Sequence, residues 1–303
     1  MIDWMGYNEA SGVPSLNAST IEGVSLSYPA DKKEQSTIAN ALTDVDALIT
    51  SLEKLIAKKS AIKTAAMQQL LTGKKRLPPF DQQHTGYQKT ELGEIPEDWK
   101  VVSIEKAIER RAILDQMDGN HGELYPKSHE FSDFGIPYVG ATDFNNGRVD
   151  FSSCKYLPVS RAKLFKKGIA KKGDVLFAHN ATVGPVALLD TDFEFVILST
   201  TATYYRCDNC VINNKYLASY FSSQIFVNQY SSVMSQSTRN QVPILTQRKF
   251  YLVLPSIEEQ VVISDVLSDM DSELSVLEQR LNKTQKIKQG MMQELLTGKT
   301  RLI

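Results

Sequence analysis

One eleven-residue stretch occurs twice in this chain. Residues 67–77 read Met-Gln-Gln-Leu-Leu-Thr-Gly-Lys-Lys-Arg-Leu, and residues 292–302 read Met-Gln-Glu-Leu-Leu-Thr-Gly-Lys-Thr-Arg-Leu. The offset of 225 residues holds without a gap upstream to Gln35 and Gln260. It pairs Asp46 with Asp271, Leu52-Glu53 with Leu277-Glu278, and Ile62-Lys63 with Ile287-Lys288. Roughly 40% of the window is identical, far above chance for two helical segments. Two copies so far apart are too few for a solenoid, so they read as brackets around a domain.

Both copies carry a helical apolar seam. Ile38, Leu42, Val45, Ile49, Leu52 and Ile56 step by four and three; Ile263, Leu267, Met270, Leu274, Leu277 and Leu281 stand at the matching positions. Lys59 and Thr284 interrupt the two seams at the same point. Thr72-Gly73 and Thr297-Gly298 are C-terminal stops, with Gly at the left-handed position. Some 40 helical residues would make a rod of roughly 60 Å. Acids crowd the first half of each rod (Asp44, Asp46 and Glu53; Asp269, Asp271 and Glu278). Bases crowd the second (Lys58, Lys59 and Lys63; Lys283, Lys286 and Lys288). Dipole compensation accounts for part of this. The same pattern favours antiparallel pairing, in which acidic and basic halves face each other.

The 303 residues divide into an expected 1–29, 30–77, 78–98, 99–255 and 256–303. The first is a fragment with a strand-like run from Ile21 to Tyr28. Its Val13-Pro14-Ser15-Leu16 echoes Val242-Pro243-Ile244-Leu245, so it reads as the remnant of a first domain. The second and last are the rods, and 78–98 is a linker. Residues 99–255 mix strand-like runs (136–139, 175–178, 185–189, 193–198, 201–206) with helix-like runs (104–111, 215–231). The expected fold class is α+β: one mixed α/β domain flanked by two long α-helices that pair as an antiparallel coiled coil.

Several chemistries are excluded. Gly298-Lys299-Thr300 lacks the glycine five residues earlier that a phosphate loop needs, and it follows a helix. Cys207 and Cys210 have ligand spacing but no second pair, so no metal site is expected. No nucleophile elbow, Gly-rich cofactor fingerprint or adenine-methyltransferase signature is present, and no catalytic residue is assigned. No run is long enough for a membrane span, and no secretory signal is visible. Three cysteines give no disulfide framework, and a cytoplasmic location is expected.

A net charge of −1 means that nucleic-acid binding would need a local basic face. Residues 155–172 supply one, with Arg161, Lys163, Lys166, Lys167, Lys171 and Lys172 and no acid. Loops rich in base-reading side chains accompany it: Asn120, His121, Tyr125 and Lys127; His179, Asn180 and Thr182; Thr238, Arg239, Asn240 and Gln241. Together they favour nucleic acid over a small-molecule pocket.

The residues also carry a family likeness. Pro255–Gln260 opens a long helix that ends Leu-Leu-Thr-Gly-Lys-x-Arg-Leu, and Gly93–Trp99 reads Gly-Glu-Ile-Pro-Glu-Asp-Trp. With Asp118–Pro126, Gly135–Val139, Lys172–Phe177 and Thr182–Gly184, these resemble the specificity subunit, HsdS, of type I restriction–modification systems. The resemblance spans nearly the whole chain. It implies a non-catalytic subunit that reads double-stranded DNA through target recognition domains. Its helices would dock methyltransferase subunits, which bind S-adenosylmethionine, while ATP and Mg belong to the restriction subunit. No cofactor is expected in this chain. The family usually has two recognition domains and one is visible here, which suggests a half-subunit acting as a homodimer on an interrupted palindrome. Rod length would then set the spacer between half-sites. The competing reading is a helical protein–protein adaptor whose domain binds something other than DNA.

Overall fold

The computed structural model describes residues 17–25, 27–82, 86–120, 122–235 and 240–302. In chain order the elements are α1 (Ala18–Glu22), α2 (Lys32–Leu70), β1 (Tyr87–Thr90), β2 (Gly93–Pro96), β3 (Lys100–Ser103), α3 (Ile104–Glu109) and β4 (Ile113–Asp118). Next come β5 (Ile136–Val139), β6 (Phe144–Asn145), β7 (Arg148–Val149), β8 (Lys155–Leu157), α4 (Val159–Ala162), β9 (Ile169–Ala170), β10 (Val175–Asn180), β11 (Thr182–Leu188), β12 (Val196–Leu198) and β13 (Ala202–Cys207). Last are α5 (Asn214–Phe221), α6 (Gln224–Met234), α7 (Ile244–Gln247), β14 (Tyr251–Leu254) and α8 (Ile257–Leu295). The chain forms two compact units, residues 1–61 with 271–303, and residues 62–270.

In the first unit the long helices α2 and α8 run antiparallel. Lys59 pairs with Glu273 (2.7 Å), Asp46 with Lys288 (2.6 Å) and Glu34 with Arg301 (2.7 Å), so one sequence number falls as the other rises. Ile38 and Leu52 are buried along the seam, and Leu42, Val45, Ile49, Ile56, Leu274, Leu277 and Leu281 are half-buried. The expected break in the seam is found on α2, at Lys59, but not on α8. Thr284 lies buried within it and satisfies its hydroxyl on the Arg280 carbonyl (2.8 Å), while Lys59 reaches out to Glu273. A second difference is at the N-terminal side. The expected strand from Ile21 to Tyr28 begins as the short helix α1, because the Asn17 side chain caps it at Thr20 N (2.7 Å). Residues 24–25 and 27–29 have no regular structure. Val13 to Leu16 lie outside the described residues.

The second unit is built on two four-stranded sheets. One has the order β11-β10-β13-β4, all antiparallel; the other is β8-β5-β12-β9, with β5 and β12 parallel. Strand β10 is buried on both faces, which is why it reads as a continuous apolar run. Val175 and Phe177 face an aromatic core with Phe221, Phe226, Tyr230 and Phe250. Leu176 faces the other sheet, among Val139, Ala187, Leu198 and Tyr204. The single helix expected over 215–231 is two, α5 and α6, because Ser223 turns the chain between them and caps its own turn on Tyr220 O. The stretch taken as a linker, residues 78–98, holds the hairpin β1–β2 and the core residue Ile95, which is buried with Trp99, Leu70 and Leu71.

Candidate nucleic-acid interface

The strand directions bring several loops to one end of the two sheets. Ala178 at the end of β10 pairs with Ala202 at the start of β13, and Thr203 pairs with Asp118 at the end of β4. Beyond β5 and β12, Ser199 N donates to Val139 O (2.8 Å) and Ala141 N to Thr201 Oγ1 (2.9 Å). Close approach there needs glycine. A Cβ on Gly119 would sit 2.1 Å from Ser199 O, and Gly168 at φ +65 lies against the Gly119 Cα.

Two of the candidate loops meet although some 60 residues separate them. At the β10–β11 tip, Ala181 N donates to Asn240 O (3.0 Å), and Asn240 Nδ2 donates back to Ala181 O (2.6 Å). Asn180 forms a β-bridge with Gln241, and Val242 N donates to His179 O (2.8 Å). A buried polar set holds this junction. His179 Nδ1 and Thr203 Oγ1 stand 2.9 Å apart, Gln247 Nε2 donates to Thr203 Oγ1 (3.3 Å) and Val242 O (2.8 Å), and Tyr205 OH donates to Gln247 Oε1 (2.5 Å). Burial pushes the Tyr205 hydroxyl far above its ordinary pKa, so it stays a donor.

Some expected contact residues therefore do another job. His179 is 2% exposed and positions the tip rather than presenting its ring. Asn120 is buried, and its Nδ2 donates to Lys167 O. Arg161 is spent on Glu130 (2.5 Å) and Leu124 O (3.1 Å) and stacks on Phe165, so it ties residues 124–130 to α4. Hydrogen bonds from Lys127 N and then from Arg161 hold the Glu130 carboxyl below its usual pKa range.

The basic stretch is divided. Lys163, Lys166 and Lys167 are exposed beside Gly168 and the Gly119 loop. Lys171 and Lys172 sit instead at the turn that begins β10, where Lys171 N donates to Asp174 Oδ2 (2.7 Å) and Lys172 pairs with Asp190 (2.8 Å). Six residues of strand put that turn about 17 Å from the Asn180 end. Lys127, Tyr125, Thr182 and Asn240 are exposed. No described carboxylate pairs with Lys127, Lys163, Lys166 or Lys167. His121, Thr238 and Arg239 lie outside the described residues. Sequence reading passed over Phe134, which is 81% exposed next to β5. Its signal was an aromatic inside the polar turn Ser132-Asp133-Phe134-Gly135 that no core periodicity uses.

Among the described residues, no group of three or more His, Cys, Asp or Glu side chains could hold a metal, and no helix is long and apolar enough to cross a membrane. Cys207 is buried, its thiol pushed up to about 12 by desolvation, whereas Cys210 is exposed, so the two do not share a site.

Fold and site together define a class: a mixed α/β domain with a lysine-bearing loop surface, joined to two long antiparallel helices. The chain belongs to the type I restriction modification DNA specificity domain family, whose model matches residues 96–289. It is 26% identical over 301 residues to the type I restriction enzyme MjaVIII specificity subunit of Methanocaldococcus jannaschii, covering 97% of this chain and 66% of that protein. It is also 26% identical over 292 residues to the putative MjaX specificity subunit of the same organism, covering 95% of this chain and 62% of that one. The chain thus spans about two thirds of the length of these curated relatives. The fold is similar to the crystal structure of the type I restriction–modification S subunit from M. genitalium, with a TM-score of 0.61 at 14% identity, over 96% of this chain and 68% of that chain.

Proposed function

We propose that this chain is a DNA sequence-specificity subunit of a type I restriction–modification complex. Its recognition domain would bind one half of an interrupted target, and its helices would dock methyltransferase subunits. The observation that carries the reading is the single end of the domain where the 180–182 and 240–241 loops are stitched together. The surface lysines 163, 166 and 167 lie beside the adjoining Gly119–Gly168 contact, free of described carboxylates. Lysines without partners neutralise phosphates, while Asn and Gln side chains on fixed loops read base edges. The chain itself would be non-catalytic, with S-adenosylmethionine on the methyltransferase subunits and ATP with Mg on the restriction subunits, in the cytoplasm.

Salt-dependent binding to duplex DNA tests this. Replacing Lys163, Lys166 and Lys167 with Gln should lower the log–log salt slope by about one each. Lys172→Gln, at the far end of β10 and already paired with Asp190, should leave the slope unchanged. Equal effects from both changes would sink this placement of the interface. Sequencing methylation sites in cells that carry the chain with its methyltransferase would give motif and spacer together. The two helices already satisfy each other within one chain, so helix pairing alone does not require a second copy. Two chains side by side would still present two recognition domains to a two-fold site. A particle that sizes strictly as a monomer with and without DNA would remove the homodimer.

A further inference from the structure

The buried polar set behind the reading tip continues into a half-buried cation. Gln247, which joins Tyr205, Thr203 and Val242, is followed by Arg248. Both main-chain groups of Arg248 are engaged: its N donates to Ile244 O (3.2 Å), and its O accepts from Glu105 N (2.9 Å). Its side chain crosses to β4, the edge strand of the β11-β10-β13-β4 sheet, where Nε donates to Gln116 Oε1 (2.9 Å). Gln116 is 4% exposed, so a buried amide sets the plane of the guanidinium. That amide oxygen is a neutral acceptor and leaves the positive charge uncompensated. Among the described residues no carboxylate pairs with Arg248, whereas Arg76, Arg161, Arg206 and Arg301 each meet one.

The location matters as much as the bonding. Gln116 stands two residues before Asp118, the end of β4, and Gly119 follows in contact with Ser199 and Gly168. Three residues of extended chain put Gln116 about 10 Å from that turn. Lys166 and Lys167 are exposed beside the same turn. Phosphates on one DNA strand advance about 3.4 Å along the axis per nucleotide. A strand lying on those lysines therefore reaches the Arg248 side of the sheet within a few nucleotides. With Nε held by Gln116, the Nη1 and Nη2 donors form the fork that suits two oxygens of one phosphate.

We propose that Arg248 grips a backbone phosphate of the bound DNA and that Gln116 positions it to do so. Gln247 and Arg248 are neighbours on one fixed turn, so the grip keeps a constant separation from the Asn180–Asn240 tip. The phosphate then sets the register in which that tip meets the bases, as backbone contacts do without carrying sequence information themselves. The inference rests on the DNA-reading role proposed above and adds a residue from outside the basic stretch.

The test uses the full chain and a duplex bearing the motif found by methylation-site sequencing, with single phosphates replaced in turn by neutral methylphosphonate. Wild type should lose about tenfold in affinity at each contacted phosphate. Arg248→Gln should bind the unmodified duplex about tenfold more weakly and lower the log–log salt slope by about one. It should also become indifferent to the substitution at one phosphate while keeping the losses at the others. Gln116→Met removes the acceptor and keeps the charge, so it should leave the salt slope intact and blunt the response at that same phosphate alone. Arg248→Gln that keeps the whole wild-type phosphate pattern, or that weakens every position equally, overturns the proposal. A loss confined to duplexes with guanine at one position would make Arg248 a base reader and overturn the phosphate grip. Wild type with no affinity for the duplex overturns the DNA-reading role and this inference together. Wild type that binds through Lys163, Lys166 and Lys167 while Arg248→Gln changes nothing overturns this inference alone.

Discussion

The helix seam of the first unit and the aromatic core of the second hold their structures by different means. In the core, Phe226 is fully buried and touches Phe177, Phe221, Tyr230 and Phe250 at centroid distances of 4.4–5.9 Å. In the seam most apolar residues are only half-buried, and evenly spaced small contributions add up along the helices. The core depends on a few large side chains that cannot be removed without a hole. The seam depends on periodicity, so losing one member is tolerable and losing register is not.

That contrast can be broken in order of size. Phe226→Ala should cost about 3–5 kcal/mol, read as a lower denaturant midpoint for the second unit. Leu52→Ala, at one of the few buried seam positions, should cost about 2 kcal/mol. If Leu52→Ala proves as damaging as Phe226→Ala, the seam is not the distributed structure described here. Lys59→Ala removes a part-exposed pair with Glu273 and should cost less than about 1 kcal/mol, an effect that disappears in high salt. Smallest is a pH effect at the helix end. Hydrogen bonding from Arg301 holds the Glu34 carboxyl below its ordinary pKa. A depressed carboxyl stabilises above its unfolded value and loses that contribution as pH falls through its folded value. The melting difference between wild type and Glu34→Gln should be present at neutral pH and vanish in acid. A difference that persists fully at the acid end would refute the assignment.

How much of this was legible in the sequence depends on range. The helices were, because a seam of steps four and three is local information and the repeat supplied an independent copy. Five strands of the domain, β5 and β10 to β13, were legible as local apolar runs, whereas β3, β4, β6 to β9 and β14 were not named. The split of residues 215–231 at Ser223 was not, since serines inside an apolar pattern do not announce a turn. The site was half legible. The loops around Asn180 and Asn240 were each visible as polar, but their stitching is a non-local pairing that no window contains. The basic stretch misled because chain proximity is not spatial proximity: Lys167 and Lys172 flank one short strand and leave toward opposite ends of a sheet. His179 and Asn120 were read by residue type alone, and burial reassigned both to holding loops in place.

The stitch at Ala181 and Asn240 has a consequence for change over time. The bonds from Ala181 N to Asn240 O and from Val242 N to His179 O run through main-chain atoms, so they are indifferent to most side chains displayed beside them; Asn240, whose Nδ2 donates to Ala181 O, is the exception. Thr182 and its exposed neighbours can therefore be exchanged without disturbing that frame. Under the proposed DNA-reading role, a lineage carrying this scaffold could adopt a new address on the genome by a few surface replacements, without passing through an unfolded ancestor.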